Sequence, residues 1–129
     1  MSRLLITTSH QKTWLVNEPV VFLGEWCKKY DQKHVWSLMD AVVSPPYGLN
    51  SKQRIDDIDE MDTLFKSILK DLSIQLNHFH GVSYPIRYWY ILLGSWLNSY
   101  LRVIMNRYKT LESVLNNYGI SKTIFLANK

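Results

Sequence analysis

Glu25, Trp26, His34 and Trp36 fall within a dozen residues, directly after the apolar run Val20-Val21-Phe22-Leu23 and a glycine, Gly24. A carboxylate and an imidazole this close in sequence can share acid–base work, one taking a proton while the other orients it. A glycine admits close approach of the backbone to a ligand. Tryptophan offers a broad apolar face that suits a sugar ring as well as a core. The structural alternative is ordinary: Gly24 turns the chain, Trp26 and Trp36 fill core, and Glu25 makes a surface ion pair or suits a helix dipole. The residues alone leave both readings standing.

A second set lies further on, where His80-Gly81-Val82 is followed by Arg87-Tyr88-Trp89, with Gly94 and Trp96 beyond. Arg87 sits in the first turns of an expected helix, against the preference of the dipole. A cation and free backbone N–H groups can together bind an anion there. The alternative is an ion pair with an acidic residue of the preceding helix. His78 and His80 do not share a helix face and no carboxylate accompanies them at ligand spacing, so no metal site is expected.

Several chemistries are disfavoured by what is missing. The five glycines include no closely spaced pair, so there is neither a dinucleotide fingerprint nor a P-loop, and no cofactor is expected. Gly94-Ser95-Trp96 lies within a helical pattern and is not a nucleophile elbow. Cys27 is the only cysteine, which excludes an intrachain disulfide and suits a reducing compartment. The net charge of +4 comes from scattered basic residues. It favours anionic partners such as nucleotide sugars or phospholipid headgroups, without the arginine run that marks a nucleic-acid binder.

The elements that must position these residues are legible as punctuation and period. At 129 residues, 47% of them hydrophobic, the chain reads as a single domain, 1–129, with ample core material. Strands are expected at Leu4–Thr8, from Pro19 through Leu23, at Ala41–Val43 and at Thr123–Leu126. Ser9–Asn17 is a loop or short helical turn. A short helix is expected over Glu25–Tyr30, broken by Asp31–His34, and the prolines of Ser44–Gly48 make a loop.

Asn50 or Ser51 caps a long helix. Its face is Ile55, Ile58, Met61, Phe65, Ile68, Leu72, Leu76 and Phe79, and Gly81 ends it. A second helix begins at Ser83-Tyr84-Pro85, carries a stripe from Trp89 and Leu93 through Trp96, Tyr100 and Ile104 to Tyr118, and is closed by Gly119. Trp89 and Trp96 read as core. Residues 88–105 are long enough to span a bilayer, but Asn98, Ser99 and Arg102 interrupt them. An arginine near the middle costs at least ~2.5 kcal/mol in lipid, so no span is expected.

The expected fold is α/β: a Rossmann-like three-layer unit with a short parallel sheet and two long helices. A last strand with no covering helix before Lys129 reads as the N-terminal part of a larger fold, or as a protomer that completes its core by association. The three-residue apolar run near the N-terminus is too short for a signal peptide, so a cytoplasmic location is expected.

L-L-I-T-T at Leu4–Thr8, E-P-V-V-F-L-G-E-W-C at Glu18–Cys27, K-H-V-W at Lys33–Trp36, H-G-V at His80–Val82 and R-Y-W-Y-I-L-L-G-S-W-L at Arg87–Leu97 together carry a resemblance. In order and spacing they resemble the N-terminal region of a bacterial transferase family encoded in surface-polysaccharide and O-antigen loci. No single block is a catalytic signature, and the family supplies no established catalytic residue to carry over.

The resemblance implies a glycosyltransferase-like protein of the two-Rossmann-domain type, with this chain as its acceptor-side half. Donor binding would fall mainly to a C-terminal domain. By that resemblance Glu25 and His34 are base candidates for an acceptor hydroxyl. Gly24, Trp26, Trp36 and His80 are candidate substrate contacts, and Arg87 a contact for a phosphate or acidic sugar. The implied partners are a nucleotide sugar or a glycan acceptor, lipid-linked acceptors included, and a missing C-terminal domain or second copy. Peripheral contact with the inner membrane is compatible with this; nucleic acid is not implied. Alone, the chain is expected to be inactive. The expectation from a different class is a non-catalytic interaction or oligomerisation module of surface-glycan assembly, motivated by the open chain end and the apolar second helix.

Overall fold

A computed structural model describes residues 2–127. Four short strands, Ser2–Ile6 (β1), Val20–Phe22 (β2), Ala41–Val43 (β3) and Gly119–Thr123 (β4), form one parallel sheet of order β3-β2-β1-β4. This is the order of one half of a doubly wound Rossmann fold. Three helices accompany it: Lys33–Trp36 (α1), Ser51–His80 (α2) and Ile86–Asn117 (α3). The chain is an α/β, Rossmann-like unit with a short parallel sheet. It divides into two compact units, one of residues 1–47 with 109–129, the other of residues 48–108.

In the sheet unit, β1 and β2 are inner strands, and their sequences, Leu4-Leu5-Ile6 and Val20-Val21-Phe22, are continuous apolar runs buried on both faces. Trp14 meets Phe22 edge to face at 5.4 Å, and Cys27 and Val114, from the last turns of α3, complete the cluster. Full burial of a side chain such as Phe22 or Ile6 stabilises by about 1.5–3 kcal/mol. Arg3 ties three strands at their amino ends: its Nη1 donates to Val20 O at 3.1 Å and approaches Asp40 Oδ1 at 3.4 Å.

The other unit is a helical hairpin. Asn50 caps α2, its side chain accepting from Gln53 N at 3.0 Å. Gly81 ends α2 at φ +65°, a left-handed position that a glycine takes without strain. Asn77 then holds the turn: it donates to Tyr84 O and accepts from Tyr84 N and from the Trp89 indole N–H, all within 3.1 Å. The hairpin core is Leu69, Trp89, Leu97 and Leu101, with Phe65, Ile68, Leu72, Leu76, Val82 and Leu93 packed around it.

Several sequence expectations are corrected. The last strand is Gly119–Thr123, not Thr123–Leu126, and α3 ends at Asn117 rather than at Gly119. An edge strand needs only one pairing partner, and β4 secures it with polar side chains: Ser121 Oγ donates to Arg3 O and Thr123 Oγ1 to Leu5 O. The short helix expected over Glu25–Tyr30 is two separate 3₁₀ turns, Glu25–Cys27 and Tyr30–Gln32, because Lys28 leaves the helical region; helix forms instead at α1, where a break was expected.

On α3 the buried line is Trp89, Leu97 and Leu101, with Leu93 half-buried between them, while Trp96 is 58% exposed and Tyr100 lies outside too. A helix apolar almost all round does not announce which side meets its neighbour. On α2, Leu69 and Ser73 are buried, whereas Ile55, Ile58 and Phe79 are exposed. Among the described residues, no helix is long and apolar enough to cross a membrane. The chain end at Lys129, from which a continuation or a partner was expected, lies outside the described residues.

Candidate functional site

In an open parallel sheet, ligands gather outside the carboxyl ends of the strands, above all where strand order reverses. With order β3-β2-β1-β4, that reversal falls between β1 and β4. Two segments leave the carboxyl edge nearby: Thr7–His10 after β1, beside the reversal, and Leu23–Trp26 after β2, one strand further away.

The β2 exit carries most of the expected residues. Gly24 is buried, in an extended conformation (φ −168°, ψ 172°) that any residue adopts. Its need for no side chain comes from Trp26, whose Cε3, Cζ3 and Cη2 occupy the place a Cβ would take. The indole is thereby seated on the backbone at the strand end, and Trp26 remains 59% exposed. Beside it Glu25 opens the 3₁₀ turn with a largely exposed carboxylate, 3.6 Å from Lys28 Nζ. Lys28, mostly buried, also lies over the Trp36 ring, 4.5 Å from its centroid, and Trp36 Nε1 donates to Lys29 O at 2.8 Å. Glu25, Lys28 and Trp36 thus form a chain of contacts running from solvent to the core. A pair whose carboxylate is exposed contributes about 0–1 kcal/mol and a cation on an aromatic face about 0.5–1, so neither contact adds much to the stability of the fold. His34 is exposed on α1, two residues before Trp36.

The β1 exit is a self-bonded turn. Thr8 Oγ1 shares a hydrogen bond with Thr13 Oγ1 at 2.9 Å and accepts from His10 N, and Thr8 O accepts from Trp14 Nε1. Gln32 Nε2 donates to Ser9 O at 3.1 Å, joining this turn to the segment that leads into α1. Cys27 is buried below, its Sγ 3.7 Å from Ile6 O, and burial pushes its thiol pKa upward against the opposing effect of backbone hydrogen bonds at Gly24 and Leu23. That makes it a packing residue and not a nucleophile.

The structure therefore gathers Gly24, Glu25, Trp26 and Trp36 at one strand end with Lys28. His80 and Arg87 belong to the hairpin unit. His80 closes α2, with Phe79 edge-on at 5.0 Å and Trp89 near-parallel at 6.3 Å, and Arg87 is exposed in the first turn of α3. Lys28, Gln32 and the Thr8–Thr13 pair were not singled out by sequence reasoning. The polar run Thr7-Thr8-Ser9-His10 after an apolar strand was the available signal, but its place beside the reversal depends on a pairing with residues more than a hundred positions away. Among the described residues no group of three or more His, Cys, Asp or Glu side chains is placed to hold a metal ion.

Residues 3–129 match a family model described as LIC12162 family transferase. Comparison with curated proteins and with solved structures finds no match.

Proposed function

Because the chain belongs to the LIC12162 family of transferases, we propose that its sheet unit is the acceptor-side wall of a cytoplasmic sugar transferase serving cell-surface polysaccharide assembly, of the O-antigen kind. Donor binding then falls to a second Rossmann-like domain. The observation that carries this reading is the Trp26 indole, seated on Gly24 at a strand's carboxyl end beside the Glu25 carboxylate. An aromatic face suits the apolar side of a sugar ring, and a carboxylate next to it suits a sugar hydroxyl.

In the proposed reaction the acceptor hydroxyl oxygen bonds to the anomeric carbon of an activated sugar. The bond from that carbon to the leaving phosphate oxygen breaks, and the hydroxyl proton passes to Glu25. His34 is the second base candidate. Trp26 and Trp36 position the acceptor.

Saturation-transfer NMR of the chain with a panel of oligosaccharides and nucleotide sugars tests the binding part. Transfer to a glycan that disappears in Trp26→Ala and persists in Glu25→Gln supports the reading; equal transfer in Trp26→Ala and the parent removes it. In the family's full-length proteins, Glu25→Gln is expected to slow turnover by about 10²–10⁴-fold. A second reading, a non-catalytic interaction module, is favoured by one observation: α3 exposes Leu92, Trp96 and Val103 on a face its own hairpin does not cover.

A further inference from the structure

We propose that the outer face of α3 rests on an anionic phospholipid bilayer, the helix lying in the headgroup plane with its apolar side chains sunk among the upper acyl carbons. The inference uses the hairpin unit alone and is independent of the transferase reading.

Charge is divided between the two helices of the hairpin. All its carboxylates are on α2: Asp56, Asp57, Asp59, Glu60, Asp62 and Asp71. Residues 72–111 contain none. Asp56, Glu60 and Asp71 are exposed and lie more than about 120° around α2 from the line Phe65, Leu69, Leu72 and Leu76 that packs on α3. On α3, Arg87, Arg102 and Arg107 are exposed, and among the described residues none of them makes an ion pair. The hairpin is thus two-faced, with an acidic outer side on α2 and uncompensated cations on α3. An anionic plane attracts the second and repels the first, which fixes which helix meets it.

The apolar residues beside those cations say what kind of anionic surface fits. Ile91 is 71% exposed and Leu92 60%, both on the side of α3 away from its buried line. Aromatic pairs flank them: Tyr84 and Tyr88, 4.3 Å apart, and Trp96 stacked on Tyr100 at 5.3 Å and 14°. Phenol and indole rings favour the level of the headgroups, where the ring is in an apolar layer and its polar tip in a wet one. Aliphatic residues between them sink about 5–10 Å, and arginines reach up to the phosphates. A nucleic acid fits this face poorly. Arg87 and Arg102 are about 22 Å apart along the axis, against one phosphate per ~3.4 Å of strand, and Ile91 and Leu92 gain nothing from phosphate. No helix among the described residues crosses a membrane, so the contact is with its surface.

Cosedimentation of the chain with vesicles of phosphatidylcholine containing about 30% phosphatidylglycerol tests this. The expected result is binding that is absent with phosphatidylcholine alone and falls as salt rises from about 50 to about 500 mM. Arg87→Gln and Arg102→Gln are each expected to weaken it about fivefold, and Ile91→Ser by a similar factor. Lys52→Gln, on the acidic side of α2, removes the same charge and is expected to change binding by less than about twofold. All four side chains are exposed, and circular dichroism at 222 nm checks that each variant keeps its helices. Lipids brominated near the headgroup end of the acyl chain are expected to quench tryptophan emission in the parent and much less in Trp96→Phe. A parent chain that leaves the anionic vesicles in the supernatant overturns the proposal. So does quenching that persists in Trp96→Phe, which puts the contact elsewhere, and so does a loss in Lys52→Gln equal to that in Arg102→Gln, which reduces it to net charge. A chain that dimerises, or takes up a single-stranded oligonucleotide, while ignoring the vesicles gives the face to that occupant and overturns it as well.

Discussion

The indole of Trp26 occupies the space that a side chain on Gly24 would need. The two residues form one object, a ring mounted on bare backbone at the end of an inner strand. Gly24→Ala forces the ring off its seat while the backbone, already extended, is unstrained. Because the ring is at the surface and can swing away, the stability loss is expected at the low end of overpacking, about 1 kcal/mol. Glycan binding is expected to fall with it. Thermal unfolding and saturation-transfer NMR on the same variant separate the two: binding lost with the fold retained is the expected outcome.

Lys28 orients Glu25 from below while resting on Trp36. Lys28→Met keeps the aliphatic stem on the ring and removes the charge. Stability is expected to change by no more than about 1 kcal/mol. Transfer activity is expected to fall, but by less than in Glu25→Gln. A Lys28→Met protein as impaired as Glu25→Gln would show that the lysine, not the carboxylate, is the group that matters.

Asn77 makes three hydrogen bonds that fix the α2–α3 turn, one of them to the indole of buried Trp89. Asn77→Ala leaves that N–H without its partner, at a cost of about 1–3 kcal/mol. Asn77→Asp keeps the acceptor for Tyr84 N and Trp89 Nε1 and should recover part of the loss. Denaturant titration followed by tryptophan fluorescence measures both.

Cys27 sets a pH limit. Its thiol lies above its ordinary value of 9.0 because burial disfavours the thiolate. Below pH 9 the thiol is protonated folded or unfolded, and contributes no slope. Above it the unfolded chain loses the proton while the folded chain keeps it, so stability falls as pH rises toward the folded value. Cys27→Ala should flatten this part of the alkaline stability curve relative to the parent. Native protein should also react slowly with a thiol reagent at pH 8 and stoichiometrically once unfolded.

The sequence displayed the inner strands well, because residues buried on both faces must be apolar without interruption, as Val20–Leu23 are. It displayed the ends of α2 equally well, because Asn50 and Gly81 are there for specific backbone groups. It hid β4, since Gly119–Thr123 is an edge strand with a single apolar residue, Ile120, against the core, and its other ties to β1 are backbone pairing and the hydroxyls of Ser121 and Thr123. It hid the buried side of α3, because Trp96 and Trp89 are equally apolar and only the position of α2 decides between them. At the candidate site, Glu25 and Trp26 stood out by type. Lys28 did not, because a lysine becomes informative only when its neighbours in space are known.

The pairing of β1 with β4 also bears on how the chain is assembled in time. Thr123 reaches Leu5 across 118 positions, whereas the α2–α3 contacts are made between close neighbours in sequence. Local contacts form quickly, and closure of a long loop is slow. The hairpin is therefore expected to take shape while β1 still lacks one neighbour. On a ribosome, β1 would wait with an unpaired edge until almost the whole of these 129 residues had emerged. An exposed strand edge of that kind is a template for pairing with the wrong chain. The yield of correctly folded protein is thus governed by how soon β4 arrives to cover that edge.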